Sequence, residues 1–283
     1  MKLVNSAIAF AILFAIFSLI EWRFASIKGQ RRLRRGFRTD LAYYAFTSII
    51  GKVMVGLTIG VVVLTIARIS GMSLSVDQLR GLSPRHSMIS NQPLVLQLVE
   101  FTILADFIGY WTHRTFHSRR KLWQIHSVHH SSTQVDWLSS VRVHPLGDLV
   151  STLLVAAPLL LLGFDPAALA FYVPFLTFYA IALHANVGWT YGPLRHVIAS
   201  PVFHRWHHSA APEAVNKNFA GLFVFWDLLF RTCYLPKGHV PQTFGIYGNP
   251  VPDGFFRQLI YPFRAQKIVT TQSVEPALVT LDR

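Results

Sequence analysis

The sequence predicts an all-α, polytopic helical membrane protein with about five transmembrane helices and a cytosolic cap rich in histidine. Three observations predict it. Of 283 residues, 52% are hydrophobic and only 14% charged, against about a quarter charged in an average soluble domain. The apolar residues come in long runs separated by polar, basic stretches. Eleven of the thirteen histidines lie between residues 113 and 208.

Residues 4–20 form an apolar run ending in Glu21-Trp22-Arg23, long enough with its flanks to cross a hydrocarbon core of about 30 Å. It has no clear small-x-small cleavage site and leads into a dense basic stretch, Arg23 to Arg38. It is therefore expected to be a retained first span and not a signal peptide. Residues 41–67, interrupted only by Lys52, make a second span, and residues 69–92, with Gly71, Gly81 and Pro84, a polar loop. The third span, 93–112, is expected to continue through His113 and His117. After a polar and basic stretch, 118–144, comes a fourth apolar run, 145–163. The turn Gly163-Phe164-Asp165-Pro166 then reverses the chain, with Pro166 suited to the first turn of the next helix, 167–187.

If the stretch 23–38 is cytoplasmic, counting spans puts the 69–92 loop outside and 113–144 inside. Seven basic residues in 23–38, five in 113–144 (Arg114, Arg119, Arg120, Lys121, Arg142) and nine after residue 184 then place 21 of the 26 on one side. The net charge of +13 thus reads as a topology signal. No nucleic-acid partner is expected, because the basic run 31–38 lies between spans and has no interleaved aromatic ladder. The lone cysteine, Cys233, leaves no internal disulfide and no cysteine-rich metal module.

The histidines fall in boxes: His113-x-x-x-His117, His126-x-x-His129-His130 and His204-x-x-His207-His208. Residues four apart share a helix face, so His113 points with His117, His126 with His130 and His204 with His208. Eight imidazoles exceed what one tetrahedral metal can use, which points to a two-metal site. Spacing alone leaves zinc, copper, iron and nickel open. Open coordination positions favour catalysis over a closed structural site.

From Asp106 to Tyr234 the chain resembles the fatty acid hydroxylase and sterol desaturase superfamily of integral membrane di-iron enzymes. The resemblance rests on Asp106 to Tyr110 leading to His113-Arg114-x-x-His117, on Trp123-x-x-His126-x-x-His129-His130 and Arg142-x-His144-Pro145, and on His184-Ala-Asn186, His204-x-Trp206-His207-His208, Asn218-Phe219 and Trp226-Asp227-x-Leu229-Phe230. It implies that His113, His117, His126, His129, His130, His204, His207 and His208 ligate two iron ions in a non-haem di-iron centre, with His184 as a ninth ligand. It implies an O2-dependent hydroxylase or desaturase, with O2 as co-substrate, acting on a C–H bond of a membrane lipid, sterol or fatty acyl chain. The layout that follows is 1–92 for N-terminal transmembrane helices and loops, 93–235 for the catalytic domain and 236–283 for a tail. With no flavin or dinucleotide motif in the chain, electrons are expected from a separate ferredoxin- or cytochrome-b-like donor. The active site is expected to face the cytoplasm.

Two positions depart from the superfamily pattern: Gly147 stands where a carboxylate is frequent, with Asp148 next, and Arg231 stands where Gly is usual before Thr232. Asp106, two turns before His113 inside an apolar span, is expected to orient a ligand imidazole or to pair structurally in the bundle. Asp227 is expected to hold a histidine or an arginine. His144 and His196 are left outside the ligand set, His144 as a candidate cap. The competing readings are an acyl-lipid desaturase of the other His-box family and a non-enzymatic metal transporter or sensor. The His184-Ala-Asn186 and Trp226-Asp227 motifs speak against the first. Gathering of histidines at one face speaks against the second, although Glu100 and Asp106 lie within a span.

Overall fold

In the computed structural model, residues 2–69, 71, 88–248 and 251–264 are described. The expected 69–92 loop lies mostly outside them, with His86, as does the end of the tail. Five apolar helices make the frame: α1 (Lys2–Phe24), α2 (Phe37–Ile69), α3 (Leu94–Ser118) and, after a short helix α4 (Arg120–His130), α5 (Pro145–Leu161) and α6 (Pro166–His184). A seven-residue helix α7 (Pro201–His207) follows. Among the described residues there is no strand, only isolated bridges such as Ala25 to Val187.

The helices α1, α2 and α3 are long and apolar enough to cross a membrane. The fourth and fifth expected spans form apolar helices of 17 and 19 residues, shorter than the runs predict, and the reason is local. The α5 helix stops before Gly163, which turns at φ 90°, and Asp165 caps α6 by accepting from the Ala167 N–H at 2.8 Å. At its other end α6 stops at His184 because the next residues bond elsewhere. Glu21 accepts the N–H groups of Asn186 and Trp137 at 2.9 and 3.0 Å, and the Asn186 amide pairs with both backbone groups of Ile27 at 3.0 Å. Exposed Ile8 and Ile12 on α1 and Phe171 and Phe178 on α6 are apolar surface suited to hydrocarbon.

Buried Phe101, Leu159, Phe164 and Tyr172 lock α3, α5 and α6 together. Trp137 stacks on Phe17 of α1, with ring centroids 5.6 Å apart. The C-terminal ends of α1, α3 and α6 and the N-terminal ends of α2 and α5 meet at one face, where a buried charge network ties them. Arg34 donates to Asp136 at 2.6 and 2.5 Å and to Asp40 at 2.7 Å, and Arg142 Nε donates to the other Asp40 oxygen at 2.5 Å. Two cations and two anions balance, which is the condition for burying any of them.

Candidate metal centre

All nine histidines that the resemblance nominates converge at that face. The end of α3 carries His113 and His117, α4 carries His126, His129 and His130, α6 ends on His184, and α7 carries His204 and His207 with His208 at its C-terminus. The α7 helix starts there because Pro201 occupies its first turn and Ser200 Oγ accepts from the Phe203 N–H at 3.2 Å.

The rings divide into two groups whose donor atoms lie within 4.8 Å of one another: His113, His117, His126, His130 and His207 in one, His129, His184, His204 and His208 in the other. Helix geometry explains the division. Within each box the pair four apart stays together, while the residue three along, displaced to the other side of the pair, crosses to the neighbouring group. So His129 leaves its box for the four-histidine group and His207 for the five-histidine group. The groups adjoin, with the His130 and His208 rings stacked at 4.4 Å.

In four of the rings the outer nitrogen is held by a backbone carbonyl: His113 Nδ1 by Phe219 at 2.8 Å, His129 Nδ1 by Arg142 at 3.2 Å, His184 Nδ1 by Ala180 at 2.7 Å and His207 Nδ1 by Lys217 at 2.7 Å. A carbonyl only accepts, so each Nδ1 carries the proton and each Nε2 of these neutral rings is a bare lone pair. Yet Nε2 of His129 and Nε2 of His184 stand 3.2 Å apart, where two lone pairs repel. Other Nε2 pairs, His113 with His126, His130 with His126, and His204 with His184 and His208, are 3.1–3.2 Å apart. Donors bound to one metal at about 2.0–2.1 Å sit roughly 3.0–3.4 Å from each other, so the spacing fits cations held between the rings. Burial pushes His126, His129, His130, His204, His207 and His208 well below the ordinary imidazole pKa, which keeps these rings neutral and able to ligate.

Neither acid does what the sequence suggests for an imidazole. Asp106 accepts from the N–H groups of Leu222 and Phe223 at 2.8 Å and from the Trp226 indole at 3.1 Å; of its two expected roles the structural one holds. Asp227 holds neither histidine nor arginine: it accepts from the N–H groups of Phe219 and Ala220 at 2.9 and 2.8 Å and from Thr232 at 2.6 Å. Both carboxylates thus pin the segment whose Phe219 carbonyl orients His113. A relay supports them. Arg114 donates to the Tyr110 hydroxyl at 3.1 Å, and that hydroxyl lies 2.8 Å from Thr232. Arg231, standing at the usual glycine, adopts φ 59°, the left-handed turn that glycine makes without strain.

The sequence marks Asn218-Phe219 as part of a motif but not its place against the rings, and it does not mark the Lys217 carbonyl. Phe219 packs its ring against His113, His117 and His207. The available signal was Asn216 and Asn218 flanking Lys217: both take φ near 59°, a conformation asparagine tolerates best among non-glycine residues. His144 caps α5, its Nδ1 accepting from the Leu146 N–H at 3.2 Å, and stands outside both groups. His196 and His239 are exposed, away from the cluster. A cavity of about 270 Å³ opens between α3, α4 and α5 onto His113, His126 and His129, touching both groups.

Fold and site together define a class: apolar helices, three of them long enough to cross a membrane, joined to two adjoining clusters of imidazole donors. Residues 98–232, just under half of the chain, match the fatty acid hydroxylase family. Ornithine lipid hydroxylase OlsE of Rhizobium tropici is 34% identical over 60% of this chain and 51% of its own length. Alkylglycerol monooxygenase of Danio rerio is 30% identical over 62% of this chain and 39% of its own. Methylsterol monooxygenase 1-3 of Arabidopsis thaliana is 24% identical over 78% of this chain and 76% of its own. The chain thus spans about half or less of the length of the first two relatives. No solved structure matches.

Proposed function

We propose that this chain is a membrane oxidoreductase that uses two iron ions and O2 to hydroxylate or desaturate a C–H bond of a membrane lipid, with residues 93–235 as its catalytic part. The observation that carries the reading is the contact of unprotonated Nε2 atoms of His129 and His184 at 3.2 Å. Such a contact calls for a cation between the rings. His113, His117, His126, His130 and His207 would hold one iron, and His129, His184, His204 and His208 the other. The pair of irons would supply a strong oxidant made from O2 and two electrons, as an unactivated C–H bond demands.

The chain's own contribution is positioning. Carbonyls of Phe219, Arg142, Ala180 and Lys217 keep ring protons pointed away from the metals. The cavity between α3, α4 and α5, where Phe116, Val143 and Val155 stand beside the imidazoles, would give an apolar chain a route to them. The relatives are named as acting on an ornithine lipid, an alkylglycerol and a methylsterol, which supports a lipid substrate. A separate electron donor, ferredoxin- or cytochrome-b-like, belongs to the reading. Exposed Arg119, Arg120 and Lys121 give an acidic donor a basic face, and the adjoining Trp123 ring lies 4.9 Å from His117 and 5.5 Å from His130.

Metal analysis of detergent-purified protein tests this. The wild type should hold close to two irons, while His129→Ala and His207→Ala should lose metal and activity together and His239→Ala neither. One zinc per chain, or full metal in both box variants, would move the reading to a hydrolytic or binding role.

A further inference from the structure

An apolar surface lies outside the helices long enough to span. The short helix α8 (Phe225–Leu229) turns Phe225, Leu228 and Leu229 outward at 37%, 45% and 64% exposure. The 3-10 turn Gly192–His196, joined to it through the bridge between Ile198 and Phe223, adds exposed Leu194 and Val197. Neither segment belongs to a helix able to cross a membrane.

What these segments pack on fixes their depth. Asp106 of α3 accepts the N–H groups of Leu222 and Phe223, and Trp226 covers Phe107 with ring centroids 4.8 Å apart. Asp106 and Phe107 stand seven and six positions before His113, which at about 1.5 Å per residue puts the contact roughly 9–10 Å down the helix from the metal face. On α6, Tyr179, five positions before His184, donates to the Ala199 carbonyl. Val95, Val99 and Ile103 are exposed on α3 in one i, i+4 row that leads to Phe107. There the row passes under Trp226 and Phe230, and Phe225, Leu228 and Leu229 take its place at the surface. Non-helical backbone at such depth is tolerated where its polar groups are paired within the protein. Here Ala199 N–H donates to the Leu222 carbonyl at 2.8 Å and Val224 N–H to the Val197 carbonyl at 3.0 Å, beside the two N–H groups on Asp106. Half-exposed Trp111 and Trp189, against Phe230 at 4.8 Å and Phe24 at 5.4 Å, form an aromatic rim of the kind found at head-group level.

We propose that residues 192–198 and 222–230 form a re-entrant lobe that dips into the lipid leaflet on the metal side of the membrane, with Phe225, Leu228 and Leu229 among the acyl chains. The arginines within reach, Arg195 and Arg231, have stems long enough to carry their charge to the head groups, and Arg195 also donates to its neighbour His196 at 3.0 Å. The lobe rests on α3 crossing the membrane and not on the metal or the reaction.

The test places a bimane fluorophore on single cysteines of the full-length protein, in a Cys233→Ser background, reconstituted into phosphatidylcholine vesicles. Leu228→Cys and Leu229→Cys report the lobe, Val99→Cys the span, and Lys237→Cys, exposed beyond the lobe, the water side. Spin-labelled phosphatidylcholine should quench both lobe probes, more when its label sits near the head group than near the chain end. Iodide in the water should quench them several-fold less than the Lys237 probe. The Val99 probe should respond to the lipid labels and not to iodide. Lobe probes as open to iodide as the Lys237 probe would overturn the lobe, while a lipid-quenched Val99 probe keeps the span. Lobe probes shielded from both quenchers would put protein there instead of lipid, a second copy of the chain or a partner, and overturn it too. A Val99 probe open to iodide would remove span and lobe together. The readout needs no bound metal, so the oxygenase reading stands or falls separately on metal content.

Discussion

Four imidazoles of the centre, His113, His129, His184 and His207, are set by their back sides. The ring of His113 points inward because Phe219 offers a carbonyl to Nδ1, and Phe219 offers it because Asp227 and Asp106 hold the backbone around it. This chain of dependence makes Asp227 a positioning residue that touches no histidine. In Asp227→Asn one acceptor becomes an amide donor, which leaves one of the N–H groups of Phe219 and Ala220 facing another donor. An unsatisfied buried group costs about 1–3 kcal/mol. The variant should melt earlier and release metal faster to a chelator, with the number of metals bound at saturation unchanged. A metal release rate equal to wild type would remove Asp227 from the support of the site.

At the scale of elements, the surrounding helices are registered by the buried network of Arg34, Asp40, Asp136 and Arg142. Asp40 is fully buried between two guanidinium groups, and Arg142 uses its carbonyl to orient His129. The base of α2 is thereby coupled to the four-histidine group. Asp40→Ala leaves Arg142 buried without its carboxylate, a loss of about 3–5 kcal/mol for a broken buried pair. Adding Arg142→Met removes the orphaned charge and should restore much of the thermal stability in detergent, because the carbonyl that His129 needs is backbone and survives. Equal stability of the single and double variants would argue against this account. The boxes were legible at this scale because a period of 3.6 residues fixes which histidines share a face. The backbone partners were not, since Phe219 lies 106 residues from His113 and nothing local in either segment points to the other.

Across the whole molecule, the same face gathers the helix ends, the imidazoles and the cavity. The charge distribution assigns that face to the cytoplasm, which is a prediction about orientation. Lys121→Cys in a Cys233→Ser background should react with a membrane-impermeant thiol reagent in inside-out vesicles and stay unlabelled in right-side-out ones; the reverse pattern would invert the topology. The sequence by itself determined the apolar runs, the sorting of basic residues and the histidine periodicity, because hydropathy, charge and helical period are local properties that a run of residues either has or lacks. The division of nine rings into groups of five and four was decided only by the tertiary structure. So were the lengths of α5 and α6 and the structural employment of Asp106 and Asp227. Each of those depends on which backbone donor or acceptor from a distant segment arrives first, and that is settled by packing.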